Sequence, residues 1–326
     1  MLFMEQPQIV IIAGPTATGK TALALELASR YNAEIVSADS RQVYRYLDIG
    51  TAKPTPAQRA AIPHYLLDVV NPNERFESAR FRTLATEAIQ TVQQRDKRIL
   101  VVGGTGLYLR ALTRGLFAGP PADPALRARL HEEEQAKGKG FLHRRLASMD
   151  PQAASRLHPH DTVRLIRALE VFLLTGTPIS QWQREHAFRD RPFSTLTVSL
   201  VMDREALARR INQRCRQMVQ DGLAEEVRRV WELGYGPELA SLQTIGYAQI
   251  GKMLQGHYGL EEALEKMAQE TRRLAKRQLT WLRAEPDVRW FAPTQTREIT
   301  ASVETFWQQA VTGVGAGFRP APTNGV

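Results

Sequence analysis

The chain is predicted to adopt an α/β fold. A doubly wound parallel sheet is interrupted by an inserted all-helical domain and completed by a helical C-terminal part. Three observations carry that expectation. The apolar run Ile9-Val-Ile-Ile-Ala13 leads straight into a glycine-rich loop and a helical pattern. Apolar strands then alternate with helical stretches through the first third. The alternation stops at Gly119-Pro-Pro-Ala-Asp-Pro124, after which only helices are legible for some sixty residues.

The first strand is an unbroken apolar run, the pattern of a parallel strand covered on both faces. Behind it stands Gly14-Pro-Thr-Ala-Thr-Gly-Lys-Thr21, a complete G-x-x-x-x-G-K-[ST] phosphate-binding loop, and then the helix start Ala22-Leu-Ala-Leu-Glu-Leu-Ala28. In such a loop, backbone N–H groups and the helix N-terminus surround an anion. The predicted fold is therefore P-loop NTPase-like, with Gly14, Pro15, Thr16, Ala17, Thr18, Gly19, Lys20 and Thr21 around a phosphorylated ligand. Lys20 would pair with outer phosphate oxygens, and Thr21 would offer its hydroxyl to Mg²⁺.

A second strand over 33–38 ends at Asp39-Ser40, a helix covers 81–94, and 98–102 is the clearest buried strand. In most phosphate-loop NTPases a second strand ends in a carboxylate that helps hold Mg²⁺. Here the strand runs into Gly103-Gly-Thr-Gly-Leu-Tyr108 instead, which argues against a routine ATPase and against a nucleotide kinase. Ligands of open α/β sheets gather at the carboxyl ends of strands. That rule brings Lys20, Thr21, Asp39, Ser40 and Thr105 to one crevice, although Asp39 in isolation also suits a surface helix cap.

Helices alone are expected from 125 to about 183. Among them, Asp161 caps an amphipathic run over 163–174 that stops at Gly176 and Pro178. A strand returns over 193–202, a basic helix follows over 204–219, and helices continue to about 282. The boundaries are 1–118 for the first part of the core, 119–192 for the inserted helical domain, and 193–292 for the core continuation. Residues 293–326 form a tail whose end, from Thr312, reads as disordered.

Composition narrows the function classes. The net charge is +9 with a pI near 9.9, which permits a polyanionic partner, and the excess is spread evenly along the chain. Cys215 is the single cysteine, so an intramolecular disulfide and a cysteine-based zinc site are excluded. No run of 18 apolar residues spans a membrane, and the start lacks the basic region of a signal peptide, so a cytoplasmic protein is expected. The histidines show no metal-ligand spacing, and no serine sits in an elbow motif. Basic residues cluster in three places. Arg164 and Arg167 share a helix face, and Arg204, Arg209, Arg210, Arg214 and Arg216 crowd a second helix. Residues 271–283 carry five cations and no acid, with Trp281 nearby for stacking on a base.

Taken together, Gly14-Pro-Thr-Ala-x-Gly-Lys-Thr21, Ser37-Ala-Asp-Ser-Arg-Gln-Val-Tyr44, Gly50-Thr-Ala-Lys53, Ile62-Pro-His-Tyr65, Gly103-Gly-Thr-Gly-Leu-Tyr108 and Lys276-Arg-Gln-Leu-Thr-Trp-Leu-Arg283 resemble the bacterial tRNA dimethylallyltransferase family. The resemblance runs from about residue 8 to 291, in the family's order, and lacks the zinc-finger extension of some eukaryotic members. It implies transfer of a dimethylallyl group from its diphosphate to N6 of the adenine just 3′ of the anticodon, with diphosphate and Mg²⁺ at the phosphate loop. It implies that Asp39 is the general base and that Thr105 positions the amine. Growing charge on the leaving diphosphate would be stabilised by Lys20 and by Arg210 or Arg214.

By the same likeness tRNA contacts would come from Asp39, Ser40, Arg41, Gln42, Thr105 and Arg127. Further contacts would come from Val163, Arg164, Leu165, Ile166 and Arg167, and from Gln243, Thr244, Ile245, Gly246 and Tyr247. The last set is Lys276, Arg277, Gln278, Leu279, Thr280, Trp281, Leu282 and Arg283. The expected partners are the tRNA anticodon stem-loop and dimethylallyl diphosphate, with no membrane, and the enzyme is expected to be a monomer. An enzyme that prenylates free adenine nucleotides shares the loop and the base, but would not need the helical insertion or the basic helix.

Overall fold

The computed structural model describes residues 6–117, 119–186 and 190–309. In chain order its first elements are β1 (Gln8–Ala13), α1 (Lys20–Tyr31), β2 (Ala33–Ser37), α2 (Pro56–Ala61), β3 (His64–Tyr65), α3 (Ser78–Gln93), β4 (Arg98–Val102) and α4 (Gly106–Arg114). Five helices follow: α5 (Pro124–Lys137), α6 (Phe141–Met149), α7 (Pro151–Ala154), α8 (Thr162–Thr175) and α9 (Ile179–His186). The remainder is β5 (Ser194–Leu200), α10 (Arg204–Gln220), α11 (Leu223–Glu232), α12 (Tyr247–Leu254), α13 (Leu260–Arg283), β6 (Val288–Phe291) and α14 (Thr296–Gln309). The chain divides into two compact units, one from the residues up to 113 and from 192 onward, the other from 114–191.

In the first unit, six strands form one sheet in the order β3-β2-β4-β1-β5-β6, and every neighbouring pair is parallel. β1 lies inside the sheet, and its unbroken apolar run follows from being covered on both faces. Ile9, Ile11 and Ala13 pack with Phe81 and Ile89 of α3 and with Tyr108 and Leu112 of α4. Val10 and Ile12 face the other way, onto Leu23 and Leu27 of α1 and Ile299, Val303 and Trp307 of α14. A further core joins α10 to α13 with the chain that follows β2: Val43 and Leu47 are buried with Leu207, Ile211, Val227, Tyr247 and Met267. Burying an aliphatic side chain of this size contributes about 1.5–3 kcal/mol. The segment after β2 is therefore held on a helical floor.

The second unit is all helical, around Leu126, Leu130, Leu142, Leu146, Leu165 and Leu169. Asp161 accepts a hydrogen bond from the Arg164 N–H at the start of α8, and left-handed Gly176 (φ 71°) ends that helix.

The short helices α2 and α4 and three further elements were not foreseen from the sequence. β3 is only two residues long, and β6 is an edge strand with its two central residues exposed, so neither carries a periodic signal. Within the segment assigned to the tail, α14 is an ordered helix that buries Ile299, Val303 and Trp307 at helical spacing. The disorder expected from Thr312 concerns residues outside the described ones. Among the described residues no helix is long and apolar enough to cross a membrane.

Candidate active site

The phosphate loop lies between β1 and α1, at the carboxyl end of the strand. Gly19, in the left-handed region (φ 97°), turns the chain into α1 and leaves Lys20 as the first helical residue. Thr18 is fully buried and donates its hydroxyl to the Pro15 carbonyl at 2.8 Å, so its side chain shapes the loop from within. The Lys20 ammonium donates to the same carbonyl at 2.8 Å. One carbonyl thus receives both side chains, and a phosphate would compete for the ammonium.

Across the sheet end, β2 stops at Ser37 and Asp39 follows. Asp39 Oδ1 accepts the Arg41 N–H at 2.8 Å, a bond within the turn after β2, and no helix starts there for it to cap. That bond occupies one oxygen, and Asp39 also lines the site cavity. Thr105 accepts the Ser40 N–H on its hydroxyl oxygen at 3.0 Å, and its own N–H donates to the Ala38 carbonyl at 3.3 Å. The loops after β2 and β4 are therefore fastened to each other.

The glycines of Gly103-Gly-Thr-Gly106 exist for close approach. A Cβ at Gly103 would overlap the Ala38 backbone, one at Gly104 the Gln278 amide, and one at Gly106 the Trp281 ring. The Gly-rich loop and the turn of α13 at 278–281 are thus two sides of one contact. The expectation that Trp281 stacks on a base is corrected here: its ring packs over Gly106, with the Arg110 guanidinium 5.6 Å from the ring centre.

These elements enclose a cavity of about 510 Å³. Of the residues singled out from the sequence, it is lined by Thr16, Lys20, Thr21, Asp39, Ser40, Arg41, Gln42, Thr105, Arg214, Gln243, Thr244, Ile245, Arg277 and Gln278. Burial pushes the Lys20 ammonium down to about 8, Asp39 pulls it back up, and Arg214 pushes it further down. Burial also lowers the Arg214 guanidinium, against the pull of Asp39. Burial disfavours the charged form of both side chains, and a polyphosphate beside them would favour it. Between the two arginines considered, the geometry favours Arg214. Arg210 is exposed and outside the lining, with its guanidinium 4.0 Å from where a Gly19 Cβ would stand.

The rest of the wall is Gly50, Thr51, Ala52, Val102, Gly103 and Gly104 with Cys215, Met218, Met267, Glu270, Thr271 and Leu274, and no sequence pattern pointed to Met218, Met267 or Glu270. Cys215 is buried, and burial raises its thiol pKa, so it serves as an apolar wall atom.

Several residues expected at the RNA surface lie inside the protein. Gln42 accepts the Ser37 hydroxyl at 3.0 Å and donates to the Thr51 and Ala52 carbonyls at 3.3 and 3.1 Å. Tyr247 is 2% exposed and donates its hydroxyl to Glu226 at 2.5 Å. Glu226 is itself buried and accepts the N–H groups of Asp48, Ile49 and Gly50 at 3.1, 2.9 and 3.2 Å. A Cβ at Gly50 would overlap the Tyr247 ring, which explains that glycine. Leu282 is buried in the core against the sheet. On α13, Lys276, Arg277, Thr280 and Arg283 are exposed, while Leu279 is half-buried.

In the helical unit, Leu165 and Ile166 are core residues and have no side-chain surface to offer an RNA. Arg127 and Arg167 both pair with Glu170, which is fully buried, at 2.7 and 2.5 Å, so they neutralise an interior charge. Val163, 81% exposed, and Arg164 are what this stretch presents outward.

The groups facing the cavity suit Mg²⁺ of one kind only. Among the described residues no three His, Cys, Asp or Glu side chains lie together as a metal cage. Thr21 and two carboxylates, Asp39 and Glu270, line the cavity. Mg²⁺ commonly takes one or two protein oxygens and completes its octahedron with phosphate and water, which this donor set allows.

The chain is similar to known proteins over most of its length. The family model described as IPP transferase matches residues 42–285. The chain is 49% identical over 295 residues to the tRNA dimethylallyltransferase of Syntrophobacter fumaroxidans, spanning 90% of this chain and 86% of that protein. It is 47% identical over 304 residues to the tRNA dimethylallyltransferase of Geobacter metallireducens, spanning 93% and 98%. The crystal structure of the full-length tRNA isopentenylpyrophosphate transferase of Bacillus halodurans superposes with a TM-score of 0.70 at 37% identity, over 94% of this chain and 99% of that one. A eukaryotic dimethylallyltransferase captured acting on tRNA superposes with a TM-score of 0.78 at 27% identity, over 97% and 82%.

Proposed function

The chain belongs to the IPP transferase family, and on that premise we propose that it transfers a dimethylallyl group from dimethylallyl diphosphate to N6 of the adenine 3′ of a tRNA anticodon, releasing diphosphate. The observation that carries this is the meeting of Lys20, Asp39, Thr105 and Arg214 at one cavity. In the transfer, the N6 nitrogen forms a bond to the allylic carbon. The carbon–oxygen bond breaks, and its electron pair leaves with the diphosphate. Lys20 and Arg214 offset the charge that grows there. The adenine amine is a weak nucleophile because its lone pair is delocalised. Asp39 takes the N6 proton, and the Thr105 hydroxyl orients the amine.

Mg²⁺, held by Thr21 and the diphosphate oxygens, would add fixed positive charge at the leaving group. To reach the cavity the adenine must leave its stack, so a grip on the anticodon stem-loop accompanies the chemistry. Exposed cations on α13 and the exposed start of α8 are the surfaces assigned to that grip. A monomer acting in the cytoplasm completes this reading.

The test is mass spectrometry of tRNA nucleosides after incubation with dimethylallyl diphosphate and no ATP. Prenylated adenosine is expected in tRNA and absent from AMP treated in parallel. Prenylation of AMP but not of tRNA would support the free-nucleotide alternative. A requirement for ATP, or transfer of its γ-phosphate, would overturn the donor assignment.

A further inference from the structure

Gln278 lies among the basic residues of α13, yet its side chain points at the phosphate loop. Its Oε1 accepts the Thr16 N–H at 2.9 Å, and its Nε2 donates to the Gly104 carbonyl at 3.1 Å. The two partners fix which end of the amide is which, because a backbone N–H can only donate and a carbonyl can only accept. The amide touches the loop after β1 and the loop after β4 at once. Gly104 lacks a Cβ at the place the amide occupies. The Gly104 loop continues into Thr105, which is tied to Ala38 and Ser40 on either side of Asp39. A single side chain therefore spans the donor half and the acceptor half of the cavity.

We propose that Gln278 is a positioning residue for the donor, holding the phosphate loop in the shape that receives a diphosphate. The inference rests on the reading of that loop as the diphosphate site. Thr16 N–H is an amide of the anion-binding loop. By turning it toward α13, Gln278 decides which of the loop's N–H groups remain for the phosphates. Glutamine suits the place because one planar group offers an acceptor and a donor in opposite directions. Glutamate can accept from Thr16 but cannot donate to Gly104, and its charge would stand beside the diphosphate. Asparagine, one methylene shorter, cannot span both partners.

The test titrates inorganic diphosphate by calorimetry into wild type, Gln278→Ala, Gln278→Asn and Gln278→Glu, with tRNA affinity and its salt dependence measured alongside. Loss of two net hydrogen bonds should weaken diphosphate binding roughly tenfold in Gln278→Ala. The loss should be similar in Gln278→Asn and larger in Gln278→Glu. In turnover the defect should fall on the donor KM more than on kcat, and tRNA affinity should stay within about twofold. Unchanged diphosphate binding in folded variants would overturn the proposal, as would a defect confined to tRNA affinity, which would make Gln278 an RNA contact. A wild type that binds no diphosphate would instead overturn the reading of the loop itself. Gln278→Asn keeps an amide in place and stays informative if the alanine variant fails to fold.

Discussion

Two carboxylates anchor two neighbouring regions of the first unit, and they are used in opposite ways. Glu226, 1% exposed, receives three backbone N–H groups from residues 48–50 and the Tyr247 hydroxyl. Its lone pairs are occupied by fixed donors, so it has nothing left with which to take a proton. Asp39 receives one N–H, from Arg41, and otherwise faces a cavity with Lys20 and Arg214 in its field. Saturation makes a carboxylate part of the scaffold, and partial satisfaction beside cations makes it available for chemistry. Glu170, held by Arg127, Arg167 and the Asp123 N–H, is of the first kind.

The contrast can be broken most directly at Asp39. Asp39→Asn keeps the size and the bond to Arg41 but cannot accept the N6 proton. Turnover should fall by about 10²–10⁴, with melting temperature and tRNA affinity near normal. Single-turnover kinetics at saturating donor checks it. Near-normal turnover would remove Asp39 from the mechanism, and a main defect in Mg²⁺-dependent diphosphate binding would point to a metal role.

Glu226→Ala tests the other half. It strands three N–H groups and a hydroxyl in the interior, and should cost about 3 kcal/mol of stability. The urea midpoint should drop accordingly, while turnover of the folded fraction stays within about tenfold of normal. A stable but inactive variant would place Glu226 in the chemistry and erase the distinction.

A smaller effect concerns pH. The free protein holds Lys20 with a pKa near 8, and the ammonium is the form that binds diphosphate. Affinity for inorganic diphosphate should therefore fall as pH rises through about 8, by at most about tenfold per unit for one proton. Below that value Lys20 is already charged and contributes no slope. Calorimetry between pH 7 and 9.5 decides, and a flat profile would mean that Lys20 does not bind the anion.

The smallest effect sharpens the boundary between brace and surface on α13. Arg272, Lys276 and Arg283 are exposed, and Arg272 donates to Asn212 at 2.9 Å. Replacing all three with alanine should flatten the log-affinity versus log-salt slope for tRNA by about 0.7 to 0.9 per lost phosphate contact. Diphosphate binding should not change. An unchanged slope would mark this side of α13 as a solvated face.

Much of this was legible in the residues alone because it is local. The strand over 9–13, the loop at 14–21, the cap at Asp161 and the stop at Gly176 follow from backbone conformation and periodicity within a few positions. The crevice of Lys20, Asp39 and Thr105 followed from one topological rule about strand ends. Which polar side chains face the ligand and which brace the walls was not legible. Gln278 meets Thr16 across 262 positions, and Glu226 meets Ile49 across 177. Gln42, Tyr247 and Trp281 look like surface contacts as letters, yet they turn inward because packing, absent from any local pattern, decides which way a half-polar side chain points. The sequence by itself determined the phosphate loop, the alternation of strands and helices that flanks it, the helical insertion and the family. Only the tertiary structure assigned Arg214 over Arg210, Gln278 to the loop, and Glu226 to the scaffold, because each of those choices depends on distances between segments that the chain brings together only on folding.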